Sequence, residues 1–567
     1  MNVGLLKARY TSIIGLALMG TGCSSLNDPD ERLSDAGVMS DSGVTPDAGM
    51  SDAGMMPDAG NPMTVALQVV VNGGGRIMSN PPGIDCPSTC QASFEEGSKV
   101  TLAPAADEAV GLSVWMGDCS GFEESCVVTM NEAHTVEASF APHGSPRWVH
   151  QVSFSGQDFI ESDVAVDAEG NPIVAGTVDD GGGADLYVAK LDKNTGDIIW
   201  ENLIDTPVNE YYGGLATDAA GNVYASVTFN GLSEPFAIGG TQVTPDLFGN
   251  VLVVRLAAAT GAFDWVRDWV GPGQDRPSAI AVDGTNLFVT GETSGGMDFD
   301  GVVLAATEGS AFLARANTED GSVQRVRGLL GNLEIRGVAA RGDHVALSGD
   351  FTAAGVFDPG CSITPVGAGA DGFIIDLLTE NLTCQWTRTF GDRTDNVIVF
   401  GRGVAAHPEG GWIMTGAFQG NVLFAMSGSA LTSRGAYDAF VVRYDAQGTH
   451  VWSFRYGDAN NDLGLEVKVT PEGQTILTGQ FESSITFGTH SLTGASDVFV
   501  TRMSAGNTPT HDWAIALGGD DTDRPEGLAT DVDGHVYVSA YFKGMTDIDG
   551  QGLTALDYDG WVAALVR

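Results

Sequence analysis

Seven copies of one strand-rich unit fill residues 146–567, and a repeat of this kind leaves few architectures open. The clearest copy reads AYDAFVVRYDAQGTHVWSFRYGD and ends at Asp458. Its first half recurs at Asp185, Asn250, Ser310, Asp371, Asp438, Asp497 and Asp559, each opening an apolar run such as DLYVAKL or DGWVAAL. Its second half recurs at Trp148, Trp200, Trp265, Trp386, Trp452 and Trp513, with Arg325 in the equivalent place of one divergent copy. Units of roughly 50–65 residues with several strands each are the mark of a β-propeller.

Each unit opens with a strand such as Asp163-VAVD. A tight turn follows, Ala168-Glu169-Gly170-Asn171, and then a second strand, Pro172-IVAG. Gly and Asn tolerate positive φ, so the Asp-x-x-Gly-Asn form suits a hairpin. A longer connection leads to the D-x-F-V-x-R strand, and a D-x-x-G turn leads to the Trp strand. That makes four antiparallel strands per unit. The chain enters the array at Arg147-WVHQVSF, a fourth strand with no first three, and stops at Trp561-VAALVR, a third strand with no fourth. Joining the two completes the seventh unit and removes an open sheet edge. The expected fold is all-β: a seven-bladed propeller of four-stranded blades over 146–567, preceded by a small disulfide-stapled β domain and a disordered linker.

The first residues read as a targeting segment, outside the fold. Lys7 and Arg9 precede the apolar stretch Ile13 to Met19, and Gly20-Thr21-Gly22-Cys23 follows. This resembles a bacterial lipoprotein signal peptide over 1–22, which implies lipidation of Cys23; Gly20 stands where that family usually has Leu. An ordinary secretory signal is the alternative. Residues 23–63 form a linker in which Asp-Ala-Gly or Asp-Ser-Gly begins at Asp35, Asp41, Asp47, Asp52 and Asp58. Small residues and like charge cannot bury enough apolar surface to offset chain entropy. As a flexible coil it would span about 35 Å, a tether to a membrane. No later stretch has the apolar length of a membrane span.

Acidic residues outnumber basic ones by 73 to 27, a net charge of −46. Such a surface repels nucleic acid and anionic lipid headgroups; it reads first as solubility in an exposed compartment, with attraction of cations as the alternative. With Cys23 set aside, six cysteines remain in an exported chain, and local pairing gives Cys86–Cys90, Cys119–Cys126 and Cys361–Cys384. Zinc is the rival for the first four, but their spacings lack adjacent histidines.

Residues 64–142 contain strand-like runs, VALQVVV and KVTLAPA. Gly83-Ile84, both cysteine pairs, Phe94, Gly97, Trp115, Gly117, the run Val127 to Met130 and the closing Val136 to Phe140 resemble the divergent bacterial repeat domain of adhesins and surface lipoproteins. The resemblance implies a domain type and no particular function. Trp115 reads as core, with a ligand platform as the alternative. The array itself resembles SBBP repeats, bacterial β-propeller repeats of exported proteins, through its VD-x-x-G-N-x-Y-V-x-G and D-A-F-V-x-R/K strings. That family implies a fold and an exported location, and no known reaction.

Motifs for zinc proteases, α/β-hydrolases and P-loops do not occur. One acidic constellation recurs where each Trp strand leads to the next unit: Asp158, Asp205, Asp275, Asp392 with Asp395, Asp458 with Asp462, and Asp520, Asp521 and Asp523. These carboxylates could converge at a channel mouth on calcium or a basic ligand, or simply cap turns. Asp298-Phe-Asp300-Gly and Asp547-Ile-Asp549-Gly pose the same choice. The leading expectation is a non-enzymatic lipoprotein of the cell envelope, at the outer membrane or cell surface, with no cofactor. Its propeller would bind an envelope protein or glycan. The rival is an exported enzyme acting on polysaccharide or using a quinone. Cys23→Ala should release the protein from membranes, and a fatty-acid probe that labels this variant as well as the wild type would refute lipidation at that residue.

Overall fold

The first strands of the repeat units pack against one another in a cycle that returns to its start. They are Ser162–Val166, Asn209–Thr217, Asp275–Asp283, Leu333–Arg341, Ile398–Ala406, Asp462–Val469 and Asp523–Thr530; each lies against the next, and the last lies against the first. This is the arrangement of a β-propeller. The computed structural model describes residues 63–567 except 106, 108, 155, 157, 159–160, 180–182, 205, 207, 231–233, 246–248, 307–309, 359–360, 367–368, 392–397, 426–429, 520 and 549. The expected signal peptide, Cys23 and the expected linker up to residue 62 lie outside the described residues, as do Asp205, Asp392, Asp395, Asp520 and Asp549. The described residues are all-β, and among them no helix is long and apolar enough to cross a membrane.

Behind each first strand the sheet runs outward. In the first unit Ser162–Val166, Pro172–Asp179, Ala184–Leu191 and Ile198–Ile204 pair in that order, and the next four units repeat it as separate four-stranded sheets. The last seven strands and Pro146–Val152 share one eight-stranded sheet, because Gly518 and Gly519 of the sixth unit reach Asp547 and Thr546 of the seventh. In that seventh unit, Gln551–Leu565 pairs antiparallel with Pro146–Val152, with Trp561 opposite Gln151 and Ala564 opposite Trp148. The two ends of the array therefore meet in one sheet.

Sequence pattern explains the radial order. The third strand Asp438–Tyr444 is buried at every position, since neighbouring units cover both faces, and it reads as an apolar run, Ala439 to Val442, flanked by the buried Asp438 and Arg443. Fourth strands alternate: in Ile198–Ile204 only Trp200 and Ile204 are buried, and the other side chains face outward.

Four of the six repeated tryptophans bond the neighbouring unit through the indole N–H, whereas Trp452 Nε1 and Trp513 Nε1 are buried without an acceptor among the described residues. Trp148 Nε1 donates to Lys193 O at 2.8 Å, Trp200 to Ala258 O at 3.1 Å, Trp265 to Thr318 O at 3.2 Å and Trp386 to Ala446 O at 3.2 Å. Each acceptor lies in the turn before the fourth strand of the following unit. The turn glycine lies under the indole: a Cβ on Gly196, Gly261, Gly321 or Gly448 would come within 2.5–2.9 Å of the ring. The divergent junction changes both partners together. Arg325 replaces the Trp, and Leu382 replaces the glycine of the facing turn, keeping its left-handed φ of 57° and becoming fully buried. Arg315 and Arg327 donate to that turn, to Thr379 O and Leu382 O, as Arg255 and Arg267 do to Glu319 O and Asp320 O at the preceding junction. Where the ring closes, Gly144 takes the glycine's place under Trp513 although it precedes the array, held by Val566 O at 2.8 Å.

The long second connection holds structure that the repeat strings do not announce. In units two to five it forms a short outer hairpin, such as Gly296–Phe299 with Val302–Ala305. In the last two units the second and third strands themselves run on, as Thr475–Phe487 and His490–Met503. Cys361, in the outer hairpin of the fourth unit, bonds Cys384 at the start of its fourth strand.

Residues 64–142 form two four-stranded sheets around one core that includes Leu67, Val100, Trp115 and Val136. Trp115 is a core residue, its Nε1 donating to Glu123 O at 2.9 Å. Cys86–Cys90 and Cys119–Cys126 close two short loops of this thin domain. Three disulfides suit an oxidising compartment outside the cytoplasm.

Deleting residues 146–154 should lower the melting temperature far more than deleting 24–62, and equal values would rule out the strand closure. Gly261→Ala should cost roughly 2–4 kcal/mol, because it adds a clash with Trp200 to the strain of a positive φ. Gly240→Ala, at φ +83° with nothing within 4 Å, should cost only about 1–2 kcal/mol; urea midpoints that match would remove the indole contact as the cause.

Candidate binding site in the central channel

The first strands leave one face uncovered, toward the axis of the ring. Six of the seven carry a β-bulge there, at Gly213, Ser278, Arg336, Arg402 with Gly403, Leu465 and Glu526. A bulge inserts one residue and re-aims its neighbours. Here it brings charged side chains to the axis out of otherwise apolar strands. A cavity of about 220 Å³ results, lined among others by Asp163, Tyr212, Arg336, Glu466, Lys468 and Glu526.

Charges of both signs face each other around this channel. Lys468 Nζ lies 3.5 Å from Glu466, and Arg524 Nε lies 3.2 Å from Glu526. Arg336 pairs with Asp350 at 3.0 Å and also with Glu334. Walls of protein on every side weaken hydration and move the titrations. Burial pushes the Asp163 carboxyl up to about 7, although Lys468 opposes it. Burial pushes Glu526 up to about 8, against Arg524 and Arg402. It brings Arg402 down to about 10, helped by the like charges of Arg336 and Arg524. For Lys468, burial acts downward, but Glu466 and Asp163 outweigh it and hold the ammonium above its usual value. Burial, then Asp163, keeps the Tyr212 phenol well above its ordinary range. None of these residues was singled out from sequence. The signal was there: Arg276, Arg336, Arg402, Glu466 and Glu526 each interrupt an apolar strand just before its Val-, Ile- or Leu-bearing stretch.

The acidic loop residues sit elsewhere, inside the unit junctions. Asp158, Asp275, Asp462 and Asp523 are buried. Three of them accept a hydrogen bond from the backbone N–H four residues earlier: Asp158 from Phe154, Asp462 from Asp458 at 2.9 Å and Asp523 from Gly519 at 2.8 Å. Glu210, absent from the sequence expectation, takes the same place with Thr206 Oγ1 as donor. Asp458 accepts from Ser484 at 2.7 Å and from Asn460 N at 2.9 Å, and Asp521 is exposed. Asp298 and Asp547 each accept the glycine N–H of their own turn, at 2.6 Å. Asp158, Asp458, Asp462 and Asp523 thus each accept a backbone N–H of their own loop. Among the described residues one trio of metal-ligand type, Asp531, Asp533 and His535, has its atoms within 4.8 Å. It too is a turn: Asp531 accepts the N–H groups of Asp533 and His535 at 3.0 and 2.8 Å and meets His535 Nδ1 at 2.7 Å.

No protein-family model matches the chain, and no curated protein matches it. The likeness to SBBP and divergent bacterial repeats therefore rests on the strings quoted for it. Among solved structures the chain is similar to one from the mitotic checkpoint complex, at 14% identity and a TM-score of 0.39, over 75% of this chain and 96% of that one. It is similar to the Neurospora crassa Pan2 WD40 domain at 10% and 0.40, over 75% and 98%. It is also similar to the quinohemoprotein alcohol dehydrogenase ADHIIG of Pseudomonas putida HK5 at 9% and 0.34, over 73% and 78%.

The junction acids make stability depend on pH. Burial pushes Asp462 and Asp523 up to about 7 and Asp158 up to about 6, with neighbouring carboxylates adding to it. The unfolded chain releases these protons near pH ~4 while the native state keeps them. Their contribution is therefore complete below pH ~4 and is lost as pH rises toward 7. Asp462→Asn, which mimics the protonated acid, should flatten the fall in melting temperature between pH 5 and 8. A profile as steep as wild type would exclude Asp462 as a source.

Proposed function

We propose that this is a non-enzymatic exported lipoprotein, lipidated at Cys23 and held off the cell envelope by its Asp-Ala-Gly linker. We count seven blades of four strands, taking the eight-stranded sheet as two blades, and a divergent bacterial repeat domain before them. The propeller binds a protein or glycan partner of the envelope at its channel face. The observation that supports this reading is the distribution of the channel's ionisable groups: they come from most units, with Arg276, Arg336 and Arg402 on three consecutive units and Asp163, Glu466 and Glu526 on three others. A distributed polar rim offers many hydrogen bonds to an extended ligand and concentrates chemistry at no single unit. Residues 62–567, one compact body, should retain a partner from cell-envelope extract. Arg336→Glu with Arg402→Glu should abolish retention while leaving the far-UV spectrum unchanged; retention by the double variant would remove the channel as the binding face.

A second reading is an exported enzyme acting on polysaccharide or using a quinone. It is favoured by Asp163 and Glu526, two carboxyls that hold protons near neutral pH inside a cavity, as a general acid does. It requires Glu526→Gln to abolish a turnover that wild type shows, whereas partner capture would survive that change.

A further inference from the structure

A second cavity, of about 490 Å³, lies between the small β domain and the two units that close the ring. Phe122, Phe140 and Leu112 give it apolar walls, and three arginines, Arg147, Arg502 and Arg567, reach it. In a chain with 27 basic residues against 73 acidic ones, such a gathering of guanidinium groups needs a cause. Two of the three are matched: Arg502 Nε lies 3.2 Å from Asp512, and Arg567 pairs with Glu124. Arg147 differs. Its Nη2 donates to Leu112 O at 3.1 Å, and its guanidinium lies 4.0 Å from the Phe122 ring centre. Its Nε and Nη1 are buried and meet no acceptor. Asp531, the carboxylate that acts on it, has its oxygens taken by His535 and by its own turn. Burial, reinforced by the like charge of Arg567, brings Arg147 down to about 10. A cation whose nearby carboxylate is engaged elsewhere is incompletely compensated, and its place in the cavity lining suits an anion that arrives from outside.

We propose that this interdomain cavity binds a small organic carboxylate with an aromatic or aliphatic body, the carboxylate on Arg147 and the body between Phe122, Phe140 and Leu112. The volume falls in the range of small-molecule pockets, which combine apolar walls with a few polar anchors. The site is separate from the channel and does not depend on the function proposed for it.

The test uses the full chain with three probes: benzoate, inorganic sulfate and benzyl alcohol, read by thermal shift and calorimetry. Benzoate should raise the melting temperature and bind measurably, and the other two should bind roughly tenfold more weakly or not at all. Arg147→Met keeps the stem packing and removes the charge; it should melt at or above wild type without ligand and lose the benzoate response. Val110→Trp, which fills the cavity from the small domain and keeps the charge, should lose the response too. Sulfate binding as well as benzoate would reduce the site to general anion binding and overturn the proposal. Benzyl alcohol binding equally, or a benzoate response surviving in both variants, would overturn it as well, as would no response in wild type.

Discussion

Antiparallel hydrogen bonds between Pro146–Val152 and Gln551–Leu565 join segments some four hundred residues apart in sequence. A strand left unpaired there would expose one sheet edge in each direction. Pairing also brings Trp148 onto the turn of the first unit and Gly144 under Trp513, so the indole–glycine contact continues across the seam. The same strand carries Arg147 into the cavity beneath the small domain. Closure of the ring and construction of that cavity are therefore one event.

Between units, the indole–glycine contact is a close steric fit. A side chain on the glycine and an indole opposite it cannot coexist, and the divergent junction confirms the rule by breaking it on both sides. Without the indole, Leu382 fills the space, while arginines of the preceding unit donate to the turn as they do at the Trp265 junction. Close-packed interiors demand such paired changes. Cys361–Cys384 lies in this same fourth unit, adding a covalent tie next to the junction that lost its tryptophan.

Much of the strand content was legible because each strand carries its own pattern. The apolar run at Asp438 and the alternating run at Trp452 became Asp438–Tyr444 and His450–Tyr456. The unmatched ends at Trp148 and Trp561 foretold their pairing. The cysteine pairs were legible from local spacing. Less legible were the outer hairpins, whose sequences differ from unit to unit and lack the repeat strings. Asp-rich loops looked like a ligand set, yet Asp158, Asp462 and Asp523 bend back to cap their own loops, a local hydrogen bond that spacing alone does not distinguish from a ligand position.

Sequence by itself determined the all-β class, the strands that carry the repeat strings and the disulfide partners, since each depends on periodicity or on near neighbours. Only the tertiary structure decided where charge is concentrated. Bulges turned Arg336, Arg402 and Glu526 toward the axis, and the register of a bulge depends on the strand beside it. Likewise Arg147 reads in sequence only as the start of the strand that enters the array. It becomes a buried, incompletely compensated cation because ring closure and the small domain together remove water from around it.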